Sequence, residues 1–399
     1  MTINTVDPMI PEFWEKNVQE FHNKTLIGMK IANTKFAKVI SNGGDKIHFS
    51  TLSDMSANTR TVGSDNEIQE IISTDDTMDI NIAQESSFSL DKFQEKQIIT
   101  NDAERASIQR QQAQALANQI DTRIIKSGVD NATTTSTVAT GINIDNLSGI
   151  FRDSRTSLQR LNIQDNGDFF AVIDPARSGI IGDVMISNGY NEADNALRNS
   201  FAGRFRNFNT FVSNNLPSSV PVTFDTQPTA GKTFTILGVT FTFVADGAST
   251  SAGEISIGAD LADFKTIFPD ALNVALSTYV AGAGASSYGA LGKVNKDKLK
   301  NAIISASAFV GDVITITGTG YMNTSMTEVG GTNAVGTETT KMLFGKMGAV
   351  STAIQIQPSL TITQEPRRSV KNFLLEQLYG VNTFERAKDK LVAVTINQS

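Results

Sequence analysis

Residues 102–126, DAERASIQRQQAQALANQIDTRIIK, carry the reading that decides the architecture. Asn101 and Glu104 are placed as a capping box ahead of this run, and Gly128 stands just past its end, so the spacing predicts one long helix. Its apolar line of Ala106, Ala113, Leu116, Ala117, Ile120 and Ile124 is narrow, and the opposite face is rich in amides at Gln111, Gln112, Gln114, Asn118 and Gln119. At 1.5 Å per residue such a helix is about 37 Å long. So thin a stripe on so long a helix suits a spine lying across a sheet better than a member of a bundle.

Upstream, residues 11–29 (PEFWEKNVQEFHNKTLIGM) place Pro at the first turn and Phe13, Trp14, Val18, Phe21 and Leu26 at mostly helical spacing. This predicts an amphipathic arm helix whose apolar face is larger than a lone helix can hide, so Phe13, Trp14, Val18 and Phe21 are candidate contacts to another subunit. Gly43-Gly44-Asp45 then introduces a strand over 46–50, a polar and turn-rich stretch runs from 51 to 76, and Ile80 and Ile82 alternate with Asp79 and Asn81 over 77–83. Two strands joined by so long an excursion make an extended hairpin that needs a partner surface.

Downstream, the pattern predicts a helix over 146–161, a buried strand FFAVI at 169–173, a helix after Pro175 and a short hairpin over 204–212. Between Arg206 and Arg367 the chain has no arginine, while Gly, Ser, Thr and Ala crowd the interval. That shift marks an inserted domain with edges near Pro217 and Lys341. Inside it, strands 233–237 and 239–244 turn at Gly238, further strands are expected at 254–257 and 313–317, and a helix over 261–280 is expected to be interrupted at Pro269. The closing stretch is read as a helix near 348–353 and strands around 360–363, 373–379 and 391–396.

Composition narrows the chemistry. The chain has 399 residues, 40% of them hydrophobic and 19% charged, which predicts two domains. The first residues, MTINTVDPMI, lack the basic start and apolar run of a signal peptide, and no apolar stretch is long enough for a bilayer, so a soluble chain is expected. With no cysteine and only His22 and His48, disulfides, thiolate sites and histidine-based catalysis have almost no raw material. A formal net charge of -7 argues against a surface that grips nucleic acid throughout. Gly231-Lys232-Thr233 lacks the first glycine of a phosphate loop and leads into a strand, and the third glycine of a dinucleotide fingerprint is replaced by Ser287 and Asn323 after Gly282 and Gly318. Asp75, Asp76 and Asp79 lack the glycine turn and distal Glu of a calcium loop, and read as a solvated acidic face or one meeting a basic neighbouring subunit. Arg198, Arg204 and Arg206 interleave with Phe201, Phe205, Phe208 and Phe211, a pattern that stacks bases but more often fills a core.

Taken in order, the arm helix, the strand GDKIHFS, the long hairpin, FSLDKFQEKQ and the spine ending ALANQIDTRII resemble the amino-terminal arm, extended loop and backbone helix of the Hong Kong 97-type phage coat proteins. FNTFVSNNLP is similar to that family's apical turn, with Asn207 where glycine is commoner, and LLEQLYGVNTFERAKDKLVAVTI is similar to its closing strands. The resemblance implies an α+β fold with an arm at 1–42, an extended loop at 43–90, peripheral and apical domains at 91–217 and 341–399, and a β-rich insertion domain at 218–340. It further implies a major capsid protein without catalytic residues, cofactor or metal, which assembles with itself into hexamers and pentamers around double-stranded DNA read without sequence specificity. Scaffolding, portal and decoration proteins would be its other partners, with no membrane, and its place would be the virion, after assembly in the bacterial host cytoplasm. Phe13, Trp14, Val18, Phe21, Asp75 and Asp76 are then the candidate assembly contacts. A cargo-enclosing nanocompartment shell and a phage tail or surface adhesin are the alternatives.

Overall fold

The computed structural model describes residues 26–36, 44–59, 62, 68–91, 102–138, 144–187, 203–246, 251–277, 291–327, 333–365 and 370–397. The predicted arm helix, with Phe13, Trp14, Val18 and Phe21, lies outside the described residues. In chain order the elements begin with α1 (Gly28–Ile31), β1 (Lys46–Leu52), β2 (Ser73–Asp79), β3 (Ile82–Asp91), α2 (Asp102–Asp130) and β4 (Thr134–Val138). They continue with α3 (Ile144–Arg160), β5 (Phe169–Ile173), α4 (Pro175–Ser187), β6 (Arg204–Phe205), β7 (Phe208–Val212), β8 (Pro217–Thr223), β9 (Thr233–Ile236), β10 (Val239–Val244) and β11 (Glu254–Ser256). The last part holds α5 (Leu261–Ser277), α6 (Lys293–Asn301), β12 (Ser305–Ala306), β13 (Val313–Thr319), β14 (Ser325–Met326), β15 (Ala334–Val335), β16 (Thr339–Lys346), β17 (Ser351–Glu365), β18 (Val370–Asn382), α7 (Glu385–Lys388) and β19 (Leu391–Asn397).

The chain divides into two compact units, and α2 passes from the first to the second between Leu116 and Ala117. This helix runs to Asp130, four residues beyond the expected end, with Gly128 inside it. The physical reason is at its C-terminus: Ile124, Ile125 and Val129 are buried, and the Asn131 side chain donates to the Ser127 carbonyl at 2.9 Å. Burial and this cap outweigh the cost of about 1 kcal/mol for a glycine in a helix. Gln112, read as part of the outer amide face, is itself buried, on the i, i+4 line of Leu116, Ile120 and Ile124, and donates to the Ser86 carbonyl at 2.9 Å.

In the first unit β17, β18 and β3 form an antiparallel sheet in that order, and β1 pairs with β2 as a separate hairpin. The alternation read over 77–83 is real but belongs to two strands: β2 ends at Asp79, the chain turns at Ile80 and Asn81, and β3 then pairs with β18. Phe88 of β3 stacks on Phe373 of β18 with centroids 4.7 Å apart. Residues 348–353 are not helical. Gly348 turns the chain at φ 80°, and β17 starts at Ser351, where Thr352, Ile354 and Ile356 supply the β-branched run that favours a strand.

In the second unit the FFAVI strand β5 lies in a ten-stranded sheet, antiparallel to β16 and parallel to β7, with all five residues buried. Its core is aromatic, with Phe151 edge-on to Phe205, Phe208 and Phe344. Phe205 and Phe208 therefore fill a core, as their spacing with Arg204 and Arg206 favoured. The sheet continues through β8, which pairs with β16 at Ser218 and Ser219 and along its length with β13. A second apolar cluster, around Phe224, Phe234, Phe243, Phe264 and Phe268, draws all its buried members from residues 220–322. Helix α5 crosses Pro269 without a break. The buried Phe264, Phe268 and Leu272 hold one face of it in that cluster, which outweighs the single backbone hydrogen bond a proline removes.

Candidate assembly surface

The hairpin β1–β2 is built in two parts. At its root the cross-strand pair Ile47 and Met78 is buried with Ile80, Ala353, Phe384 and Ala387, and Phe49 stacks on Phe384 at 5.1 Å. Polar groups hold both ends of the paired strands: Asn382 donates to the Thr77 carbonyl near the root at 2.6 Å, and Arg386 reaches the Leu52 carbonyl and the Asp54 carboxylate at the far end, each at 2.6 Å. Beyond Leu52 the side chains change character. Leu52, Met55, Val62, Ile68, Ile71 and Ile72 are all exposed, Val62 at 99% and Ile68 at 93%. Single exposed aliphatics are ordinary, but six on one hairpin make a surface that water alone covers poorly.

Asp75 and Asp76 are on this hairpin, where the sequence put them, and the structure gives each an intrachain partner. His48 Nδ1 lies 2.6 Å from an Asp75 carboxylate oxygen, and Asp76 accepts the Glu385 backbone N–H at 2.6 Å at the start of α7. Lys46 pairs with Asp79 at 3.4 Å. The acidic run thus braces the root of the hairpin, while the exposed aliphatics beyond it, which no motif in the sequence marked, form the candidate docking surface. Their signal was present as isolated Ile and Met in a polar stretch, a pattern that carries no periodicity. A second exposed apolar row, Ile356, Leu360 and Ile362, lies on β17 at the edge of its three-stranded sheet.

The chemistry available elsewhere is sparse. Among the described residues no group of three or more His, Asp or Glu side chains is placed to hold a metal, and no helix is long and apolar enough to cross a membrane. Gly231-Lys232-Thr233 runs straight into β9, so no helix terminus faces a phosphate there. A cleft of about 560 Å³ is lined by Asp174, Ser213, Tyr321, Thr324 and Glu338 among others. Glu338 is 9% exposed and accepts the Met322 N–H at 2.8 Å. Burial pushes its carboxyl above the ordinary value of 4.5, a rise that the Met322 and Asn323 N–H groups and the Arg177 charge partly oppose.

A raised folded value means that the folded chain binds this proton more tightly than the unfolded one. Its contribution to stability is complete below pH 4.5 and is lost as pH rises through the folded value. Glu338→Gln keeps the acceptor for Met322 and removes the charge. The variant should therefore match the wild type in acid and exceed it at neutral pH, by denaturant unfolding across that range. Equal pH slopes for the two proteins would contradict the assignment.

No protein-family model matches the sequence, and no curated protein matches it significantly. Solved structures do. A chain from Mycobacterium phage Che8 aligns over 98% of both chains with a TM-score of 0.57 and 13% identity. A chain from the capsid of cyanophage P-SCSP1u aligns over 100% of this chain and 96% of its own, with a TM-score of 0.53 and 11% identity. A chain from the mature capsid of bacteriophage PhiM1 aligns over 97% and 91%, with a TM-score of 0.52 and 11% identity. At such identities the likeness is one of fold, and it covers nearly the whole of each chain: the chain has the mixed helix-and-sheet fold of these phage capsid subunits.

Proposed function

We propose that this chain is the major capsid protein of a tailed phage, a non-enzymatic subunit that assembles with itself into the icosahedral head shell around double-stranded DNA. The observation that carries the reading is the pairing of a capsid fold over the whole chain with a hairpin that exposes Leu52, Met55, Val62, Ile68, Ile71 and Ile72. A surface of this kind is satisfied by a second copy, and a closed shell supplies one to every subunit. The same reading makes hexamers and pentamers the building blocks, gives scaffolding, portal and decoration proteins as further partners, and places the protein in the virion after assembly in the host cytoplasm. The test is to express the protein alone and with a scaffolding partner and to examine the products by sedimentation and electron microscopy. Closed particles or capsomers are expected, and a monodisperse monomer under every condition sinks the reading.

Residues 218–340 act as an insertion module on that subunit. The support is the arginine-free interval together with an apolar cluster whose buried residues all come from within it. A fragment spanning 218–340 should be soluble and unfold cooperatively. A fragment with no dispersed amide spectrum would show that the module depends on the rest of the sheet that β8 and β16 share.

A further inference from the structure

Asp121 lies in the second half of α2 at 1% exposure, and three donors converge on it. The backbone N–H groups of Ile27 and Gly28 both reach one carboxylate oxygen at 2.5 Å, and the Asn215 side chain donates to the other at 2.7 Å. A buried carboxylate is expensive unless every lone pair finds such a partner, and short charge-assisted bonds are the strong ones. The approach of the backbone is equally close: a Cβ on Gly28 would stand 3.1 Å from the Asp121 carbonyl oxygen, its carboxylate and the Ile124 Cβ. Ile27 and Ile31 are buried on either side of this contact. The Asn215 side-chain amide also donates to the Asn118 side-chain Oδ1 at 2.8 Å, and its backbone N–H to Ser213 Oγ at 3.0 Å. One carboxylate thus joins three stretches of chain that are more than ninety residues apart.

The chemistry of that junction is specific. The first N–H groups of a helix have no intrahelical acceptor, and α1 starts at Gly28, so a carboxylate aimed at residues 27 and 28 supplies what the backbone there cannot. An aliphatic side chain would fill the same space on α2 without holding anything. We propose that Asp121 is a positioning residue, a tether that fixes Ile27 and Gly28 to α2 and to Asn215, and that assembly with a second copy needs this junction held. The inference rests on the assembly reading above for its second half, while the tether itself is a property of the single chain.

The experiment measures two things on the full chain: hydrogen exchange at the amides of residues 27 and 28, and the yield of sedimenting particles. Asp121→Ala should speed exchange at those amides by at least about tenfold, the effect of one lost charge-assisted hydrogen bond. It should also lower particle yield while peptides from α3 and β5 keep wild-type protection. Asp121→Asn, which keeps an acceptor for both amides, should restore most of each. Asn215→Ala, which leaves the amide contacts in place, should leave exchange at 27 and 28 near wild type. If Asp121→Ala does not fold, Gly28→Ala decides, because its Cβ presses the same contact apart from the other side. Wild-type exchange at 27 and 28 in Asp121→Ala, or in Gly28→Ala where that variant decides, overturns the tether, and fast exchange there with wild-type particle yield overturns its role in assembly. A wild-type protein that forms no particles at all refutes the capsid reading instead, and leaves the exchange result to judge the tether alone.

Discussion

A subunit carrying Ile68→Ser and Ile71→Ser should unfold as the wild type does and yet form no closed particles. Both side chains stand in water on the hairpin beyond Leu52, so the subunit loses no core contact, and substitutions at such positions change stability by about 0.5 kcal/mol or less. In a shell the same side chains would be buried against a neighbour. Each is then worth on the order of 1.5 to 3 kcal/mol, so a double loss approaches the strength of a weak contact at every interface. Because a closed shell repeats that contact in every subunit, the loss multiplies and assembly fails as a whole. Thermal unfolding of the free subunit alongside sedimentation under assembly conditions separates the two effects. Shells at wild-type yield would remove the hairpin from the assembly surface; an unfolded subunit would mean that the hairpin is covered within its own chain.

The parts of this fold that the sequence announced are those whose signal is local. The FFAVI strand, the hairpin turning at Gly238 and the Phe205–Phe208 pair each carry a period or a turn signal within a dozen residues and formed as read, and the spine helix formed but runs on through Gly128 to Asp130. What stayed hidden depends on partners far away in the chain. The sequence reading assigned no element to β8 or β16 and put only domain edges near Pro217 and Lys341, because the Pro217, Pro221 and Ser pair of β8 and the Thr-rich start of β16 weaken the strand pattern; they become strands by pairing with each other and with β13 and β19. Residues 348–353 look helical until Gly348 turns the chain and donates to the Ile31 carbonyl at 2.8 Å. The candidate site divides the same way. Asp75 and Asp76 were visible as charge, but their partners, His48 and the Glu385 amide, are supplied by the fold. The exposed aliphatics of the hairpin were visible as letters, and only the structure shows that nothing in the described chain covers them.

Gly380 marks the place where the hairpin root meets the three-stranded sheet, and its replacement should have the largest effect on the subunit itself. It follows Tyr379, which is fully buried and donates its hydroxyl to Gln84 at 3.0 Å. Tyr379 pairs with Ile82 at the first residue of β3, so Gly380 falls beside the turn where the chain leaves β2. A Cβ there would stand 2.4 Å from the Asp79 carbonyl oxygen and 2.6 Å from Ile80 Cδ1. The carbonyl belongs to the backbone and cannot swing aside, so Gly380→Ala forces residues 79–80 off the sheet. That movement opens the buried pair Ile47 and Met78 along with Ile80. Forced overpacking costs about 1 to 3 kcal/mol, and the upper end is expected here because the clash is with main chain. Gly179→Ala is the control: it sits inside α4 with nothing within 4 Å of the new methyl, and relief of glycine's backbone entropy should stabilise by about 0.4 to 1 kcal/mol. Denaturant unfolding of both variants, with limited proteolysis read at residues 79–81, tests the pair. Wild-type stability and wild-type protection at that turn in Gly380→Ala would mean that the backbone does not approach so closely in solution, and that the hairpin is held by Phe49, Phe384 and the Arg386 bonds alone.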